Sequence, residues 1–235
     1  MSVTEALLRP LLKSAPARPL ITHYDHGAGT RVELSVATMA NWAAKTANWL
    51  ATDCDVEPGS PVAVLLPAHW QTVGVLLGAW WCGATVTDDP TGASVAFVAP
   101  GGDAAGADLI AIASLDPMGR DLGAPPSGGA VDYIGEARIH GDDFLAITPV
   151  PGTTPALIGS SVDDLLATAG KRADTLGLDR ESRVLSTRDW PLPDGVLDPV
   201  LAVLAAGASL VQVSNPDPAK LDALRATERT THQLT

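Results

Sequence analysis

Positive charge is scarce in this chain: 15 Lys and Arg stand against 27 Asp and Glu, a formal net charge of −12. A nucleic-acid partner demands a basic face, so the balance argues against one. It weighs less strongly against a tight ATP site built on side-chain cations. Cysteine is nearly absent; Cys54 and Cys82 are too few and too far apart for a zinc motif. No apolar run approaches the ~18–20 residues of a membrane span, so no membrane partner is expected. The N-terminal stretch MSVTEALLRPLLKSAP reads as a short amphipathic helix ended by Pro16, without the basic, apolar and cleavable regions of a signal peptide. A cytoplasmic location follows as the expectation. There is no Gly-x-Ser-x-Gly elbow for a serine hydrolase. Gly101-Gly102 with Gly106 does not make a dinucleotide fingerprint.

What the chain has in quantity is apolar surface. Hydrophobic residues make up 46% of 235 positions, enough for a real core in one large or two small domains. Leu20–Tyr24 and Thr30–Leu34 read as strands around the turn His26-Gly27-Ala28-Gly29. Ser35 is placed to cap a helix running to about Asp53, with Met39, Trp42, Ala43, Ala47 and Leu50 near helical spacing. Pro61–Leu66 is an apolar strand, Gln71–Cys82 a helix apolar almost all round, Gly83 its C-cap and Ala84–Thr87 the next strand. Strand, helix, strand with short connections implies a right-handed βαβ unit in a parallel sheet. Ser94–Ala99 and Leu109–Ala113 add two strands, and Pro/Gly-rich loops follow.

The pattern then repeats. Phe144–Thr148 reads as a strand, Val162–Leu178 as a helix, Arg183–Ser186 as a strand, Val196–Ala206 as a helix capped by Gly207, Ser209–Val213 as a strand and Asp217–Glu228 as a last helix. The expected fold class is α/β, two lobes with mainly parallel sheets flanked by helices. The expected division is a first lobe over 1–115, a linker over 116–139 and a second lobe over 140–235.

The stretch DFLAITPVPGTTPALIGSS, residues 143–161, carries the main functional signal. A strand, a Gly/Thr loop and a helix N-terminus can cradle a phosphate on backbone N–H groups. Gly152, Thr153 and Thr154 would form that cradle. Turn and helix-cap chemistry explains the same residues without a ligand. No Lys or Arg lies between Arg138 and Lys171, and Asp163 and Asp164 fall in the first helical turn, where they serve the dipole and repel a phosphate.

This loop resembles the phosphate loop of the adenylate-forming superfamily, the acyl-CoA synthetases, peptide-synthetase adenylation domains and luciferases. That family has roughly Thr-Ser-Gly-Thr-Thr-Gly-x-Pro-Lys-Gly here. Gly152-Thr153-Thr154 match its centre, Pro151 stands at its serine, and its lysine falls on Ala156 or, without a gap, on Ile158. Val56-Glu57-Pro58-Gly59 through Pro67 is similar to another family motif, and the Ala-Gly-Ala turns at Gly83 and Gly207 to two more. Where the family places an aromatic-His pair this chain has Trp190-Pro191-Leu192-Pro193. The family's Mg²⁺-binding Glu, ribose-binding Asp and C-terminal catalytic Lys come later than Thr235.

The resemblance implies ATP or AMP as cofactor, but only weakly held. Adenylation builds charge on phosphate oxygens, and losing one stabilising contact costs on the order of 3–4 kcal/mol, or about 10²–10³ in rate. Several are missing together, so no residue is assigned a catalytic or metal-binding role. Two expectations follow. One is a non-adenylating module that binds a small acyl or nucleotide-like ligand or a protein partner. The other is half of an ATP-dependent carboxylate ligase completed by a second chain. A polar end over Arg225–Thr235 favours the first.

Other clusters weigh less. His23 and His26 around Asp25 read as metal ligands or as solvated polar residues, with no third ligand in view. Asp88-Asp89 reads as a Mg²⁺ site or as a strand-end turn. Trp42, Trp49, Trp80 and Trp81 read as core rather than a ligand box.

Overall fold

Helix starts are set by short polar side chains, as the sequence pattern predicts. In the computed structural model, which describes residues 1–235, Ser2 and Glu5 form a capping box at α1 (Val3–Ser14). After β1 (Pro19–Asp25) and β2 (Thr30–Ser35), Ser35 caps α2 (Val36–Thr52). β3 (Pro61–Leu65) leads to α3 (Trp70–Cys82), whose C-cap Gly83 adopts the left-handed conformation at φ 89°. β4 (Thr85–Thr87), β5 (Val95–Val98) and β6 (Leu109–Ile112) follow.

β7 (Val131–Asp132) and α4 (Tyr133–Ala137) lie inside the stretch expected to be linker. Tyr133 and Ile134 are fully buried, and the Tyr133 hydroxyl hydrogen-bonds Thr46 Oγ1 at 2.7 Å. β8 (Pro155–Leu157), β9 (Ser160–Ser161), α5 (Val162–Thr175) and β10 (Arg183–Ser186) come next. The expected helix over Val196–Ala206 is a 3₁₀ turn, a wide π-type segment over Leu197–Ala202 and then α6 (Val203–Ala206). Pro199 sits in this run without an N–H to donate, so regular α pairing is broken there. β11 (Ser209–Ser214), α7 (Pro218–Glu228, capped by Asp217) and β12 (His232–Leu234) complete the chain.

Two sheets result. One has the order β12-β10-β11-β1-β2, the other β7-β6-β5-β3-β4-β8-β9. All pairs are parallel except β1/β2 and β8/β9. The architecture is the expected α/β one with two mainly parallel sheets. The sheets do not follow the 1–115 and 140–235 division, however. β1 pairs with β11, Ile21 opposite Leu210, and β8 pairs with β4, Val86 opposite Leu157. One apolar core runs through both, joining Ile21, Val62, Leu76, Trp80, Leu165 and Val184. Helices α2 and α3 meet at Gly78, where any Cβ would collide with Thr46.

Phe144–Thr148 is not a strand. The segment is irregular, with Phe144 and Ala146 half-buried and Leu145 and Ile147 exposed. Its alternation suits a sheet, but no strand lies beside it to complete the ladder.

Candidate functional site

Gly152, Thr153 and Thr154 do come together with a helix N-terminus, that of α5, but the helix amides are taken and a carboxylate lies over the loop, where only the Gly152 and Thr153 N–H groups are without a partner. The first amides of a helix are the ones free to hold an anion. Here Val162 N–H donates to the Thr154 carbonyl at 2.9 Å and Asp163 N–H to the Gly152 carbonyl at 2.9 Å. Asp164 N–H donates to Ser161 Oγ at 3.2 Å, within a capping box. The loop's own Thr154 N–H donates to Pro151 O. The Asp163 carboxylate lies against Gly152, so closely that a Cβ there would collide with it.

No Lys or Arg side chain donates to the loop, and the N-terminal ammonium donates to the Val150 carbonyl just before it at 2.8 Å. Neither position matching the family lysine carries a hydrogen-bond donor in its side chain. Ala156 is buried in β8, where its carbonyl accepts the Trp80 indole N–H at 2.8 Å, and Ile158 lies in the turn between β8 and β9. The loop also precedes β8, so it lies at the amino edge of these parallel strands. Ligands of open parallel sheets bind at the opposite, carboxyl edge. A magnesium-bound triphosphate does not fit the groups present at this loop.

The carboxyl edge carries a cavity of about 330 Å³, lined from both sheets by His23 and Asp25 of β1, His69 before α3, Thr187 and Asp189 after β10, and Ser214 of β11. That volume is within the range of small-molecule sites, about 300–1,000 Å³. His23 and His69 are buried and pack edge to face, ring centres 4.4 Å apart. His69 Nδ1 accepts the Gln71 N–H at 3.1 Å as the cap of α3. A neutral His69 therefore carries its proton on Nε2, and no protein acceptor meets that proton. Ser214 Oγ donates to the Ala68 carbonyl at 2.9 Å and lies 2.9 Å from His23 Nε2. The serine has one proton, so His23 Nε2–H donates to it. His23 Nδ1 is left as a buried acceptor without a partner.

Burial lowers His23 to about 4, partly offset by Asp25 and the Ala68 carbonyl. Burial, then the neighbouring His23, lowers His69 to about 3. Both rings are neutral at physiological pH. Asp25 is held below its ordinary value: burial opposes this, but Asn215 and the Ala28 and Gly27 amides outweigh it. No Lys or Arg lines the cavity.

The sequence groups His23 with His26, but the structure separates their roles. His26 Nδ1 accepts the Asp217 N–H at 3.0 Å and serves the α7 cap region, while the partner of His23 is His69. His69 had one readable signal, its place just before an apolar helix. Trp190 is buried and does not line the cavity, whereas Thr187 and Asp189 just before it do. Burial pushes the Cys54 thiol up to about 12, helped by Asp53 and Asp55, and pushes Cys82 up to about 12, so neither is a nucleophile at neutral pH. No helix is long and apolar enough to cross a membrane.

No family model matches the chain. A Mycobacterium tuberculosis protein described as a TIGR03089 family protein is 46% identical over 242 residues, spanning 99% of this chain and 98% of that one. Among solved structures, an acyl-CoA synthetase of Brucella canis matches with a TM-score of 0.80 at 16% identity, over 99% of this chain and 47% of that one. The anthranilate CoA ligase AuaEII, solved with anthranoyl-AMP, matches at 0.73 and 15% identity, over 97% and 47%. The chain thus spans about half the length of these two enzymes and shares their fold, that of the N-terminal subdomains of acyl-CoA synthetases.

Proposed function

The chain belongs to the TIGR03089 family, and from that premise we propose a protein that binds a small molecule on an adenylate-forming scaffold without adenylating it. The observation that carries this reading is the closed loop. The first three amides of α5 are spent on Thr154, Gly152 and Ser161, the Thr154 amide on Pro151, and a carboxylate lies against Gly152, so that only the Gly152 and Thr153 amides are left.

The ligand site in this reading is the cavity at the carboxyl edge. Its lining offers neutral imidazoles, hydroxyls and the carboxylates of Asp25 and Asp189, and no cation. Such a site favours an uncharged or cationic molecule of acyl-amide or nucleoside type and disfavours a triphosphate. The half-ligase alternative asks a second chain to supply the cations that neither the loop nor the cavity carries.

Two measurements test the reading. Pyrophosphate release from ATP with a library of carboxylic acids is expected to stay at background; sustained turnover by the purified chain overturns it. A thermal-shift screen is expected to show stabilisation by adenosine- or amide-type compounds and none by ATP, because a ligand of the native state raises the melting temperature by mass action.

A further inference from the structure

Residues 144–148 alternate like a strand but belong to neither sheet. None of the backbone N–H and C=O groups from Phe144 to Thr148 makes a hydrogen bond. The neighbouring Asp143 carbonyl is held by Asn48 Nδ2 at 2.9 Å, which fixes the start of the segment on α2. Phe144 packs edge to face on Trp81, ring centres 6.0 Å apart, so alternate side chains turn inward. Leu145 and Ile147 point away and are 86% and 99% exposed, the two most exposed large aliphatic side chains in the protein. Beside them runs a groove of about 260 Å³, floored by Ala51, Val56, Pro58 and Cys82.

Exposed apolar side chains in alternation, with an unpaired backbone beside them, form a template for strand addition. Charge selects the occupant. Asp142 and Asp143 lead the segment, Glu57 lines the groove, and Asp53 and Asp55 stand beside groove residues Thr52 and Val56 in the chain. Lys45 is neutralised by Asp142 at 2.9 Å and His140 faces Asp53 at 3.3 Å, leaving Asp55, Glu57 and Asp143 without an ion-pair partner. A second copy of the chain brings the same acids and a net charge of −12, which opposes self-pairing.

We propose that Phe144–Thr148 is a docking edge for an extended, basic-flanked strand of a different polypeptide. The backbone of that strand would pair with residues 144–148, its apolar side chains would cover Leu145 and Ile147, and its Lys or Arg flanks would meet the free acids. This inference is independent of what the cavity at the carboxyl edge holds.

The test uses the full chain and a fluorescent synthetic peptide, Lys-Lys-Val-Thr-Val-Thr-Val-Lys-Lys, read by anisotropy and amide hydrogen exchange. The peptide is expected to bind and to protect the amides of Leu145–Thr148, which exchange freely without it. N-methylation of alternate peptide amides, replacement of the Lys flanks by Asp, and Ile147→Lys in the protein should each weaken binding by about tenfold or more. Ile147→Lys should leave the melting temperature unchanged, since the side chain is exposed. No binding of the Lys-flanked peptide, equal binding of the N-methylated form, or protection of these amides in the free monomer would overturn the proposal. So would self-association of the free chain that Ile147→Lys abolishes, because the occupant would then be a second copy.

Discussion

The Asp163 carboxylate lies against Gly152, and the Asp163 backbone N–H donates to the Gly152 carbonyl at 2.9 Å. One residue thus fills the space over the loop and uses up a helix amide that would otherwise face an anion. Gly152→Ala forces the exposed Asp163 carboxylate to turn aside and should cost up to about 1 kcal/mol by urea denaturation. Asp163→Ala in the same chain should recover most of that loss, a coupling of about 0.5–1 kcal/mol. Additive effects of the two changes would mean that the loop accommodates both.

Restoring the lysine of the related enzymes is expected to fail for two different reasons. Ala156 is 1% exposed and sits in β8, so Ala156→Lys buries a charge and should cost about 3 kcal/mol or more. Ile158 is 36% exposed in the β8–β9 turn, and Ile158→Lys should leave stability within about 0.5 kcal/mol. Its pyrophosphate release should remain at background, because the α5 amides stay occupied and the Asp163 carboxylate stays against Gly152. Turnover in Ile158→Lys would show that charge alone was missing.

The buried histidines make stability depend on pH. The folded values of His23 and His69 are lowered to about 4 and about 3, against about 6.5 in the unfolded chain. Their contribution is complete above the unfolded value, where both rings are neutral in either state. It falls as the pH drops below that value, because the unfolded chain takes up protons the native one refuses, and the loss is complete once the folded values are passed. Each ring adds about 1.4 kcal/mol per pH unit to the slope in that window. Denaturation midpoints should drop from about pH 6.5 toward pH 4, and the slope should shrink by about half in His23→Asn. A flat profile over that window would place the histidines in contact with solvent.

Much of the first half of the fold is readable in the chain, because its signals are local. Ser35 caps α2, Gly83 ends α3, and the apolar run of α3 announces burial on every side. What is not readable is which strands meet. β1 and β11 are separated by most of the chain, and nothing in Ile21 or Leu210 names the other as partner. The same limit explains Phe144–Thr148, whose alternation is that of a strand while its ladder partner is absent. At the loop the chemistry was legible and the geometry was not. Asp163 is visible in the sequence as a repelling charge, but its contact with Gly152 depends on the β8–β9 hairpin turning α5 back onto the loop. The His23–His69 pair was missed because it joins two sheets.

The C-terminal elements are tied to β1 and β2 by a polar cluster. Arg183 donates to Glu228 and to Thr22 Oγ1, and Arg31 lies 3.1 Å from Glu228 and 2.9 Å from Glu33. Burial alone would raise the Glu228 carboxyl, but Tyr24, Arg183 and Arg31 hold it below its ordinary value. Glu228→Ala leaves Arg183, whose side chain is 18% exposed, with only Thr22 and the 3.4 Å contact to Glu33, and should cost about 1–3 kcal/mol by urea denaturation. A loss under about 0.5 kcal/mol would mean that the cluster behaves as a solvated surface pair.

The closed loop is tested most directly by titrating the chain with magnesium ATP in a calorimeter, alongside adenosine. The loop geometry predicts no saturable heat from ATP up to millimolar concentration. Saturable ATP binding at micromolar concentration, lost on Gly152→Ala and kept by a variant of the carboxyl-edge cavity such as Ser214→Ala, would show that the loop opens to hold a triphosphate and would contradict the account.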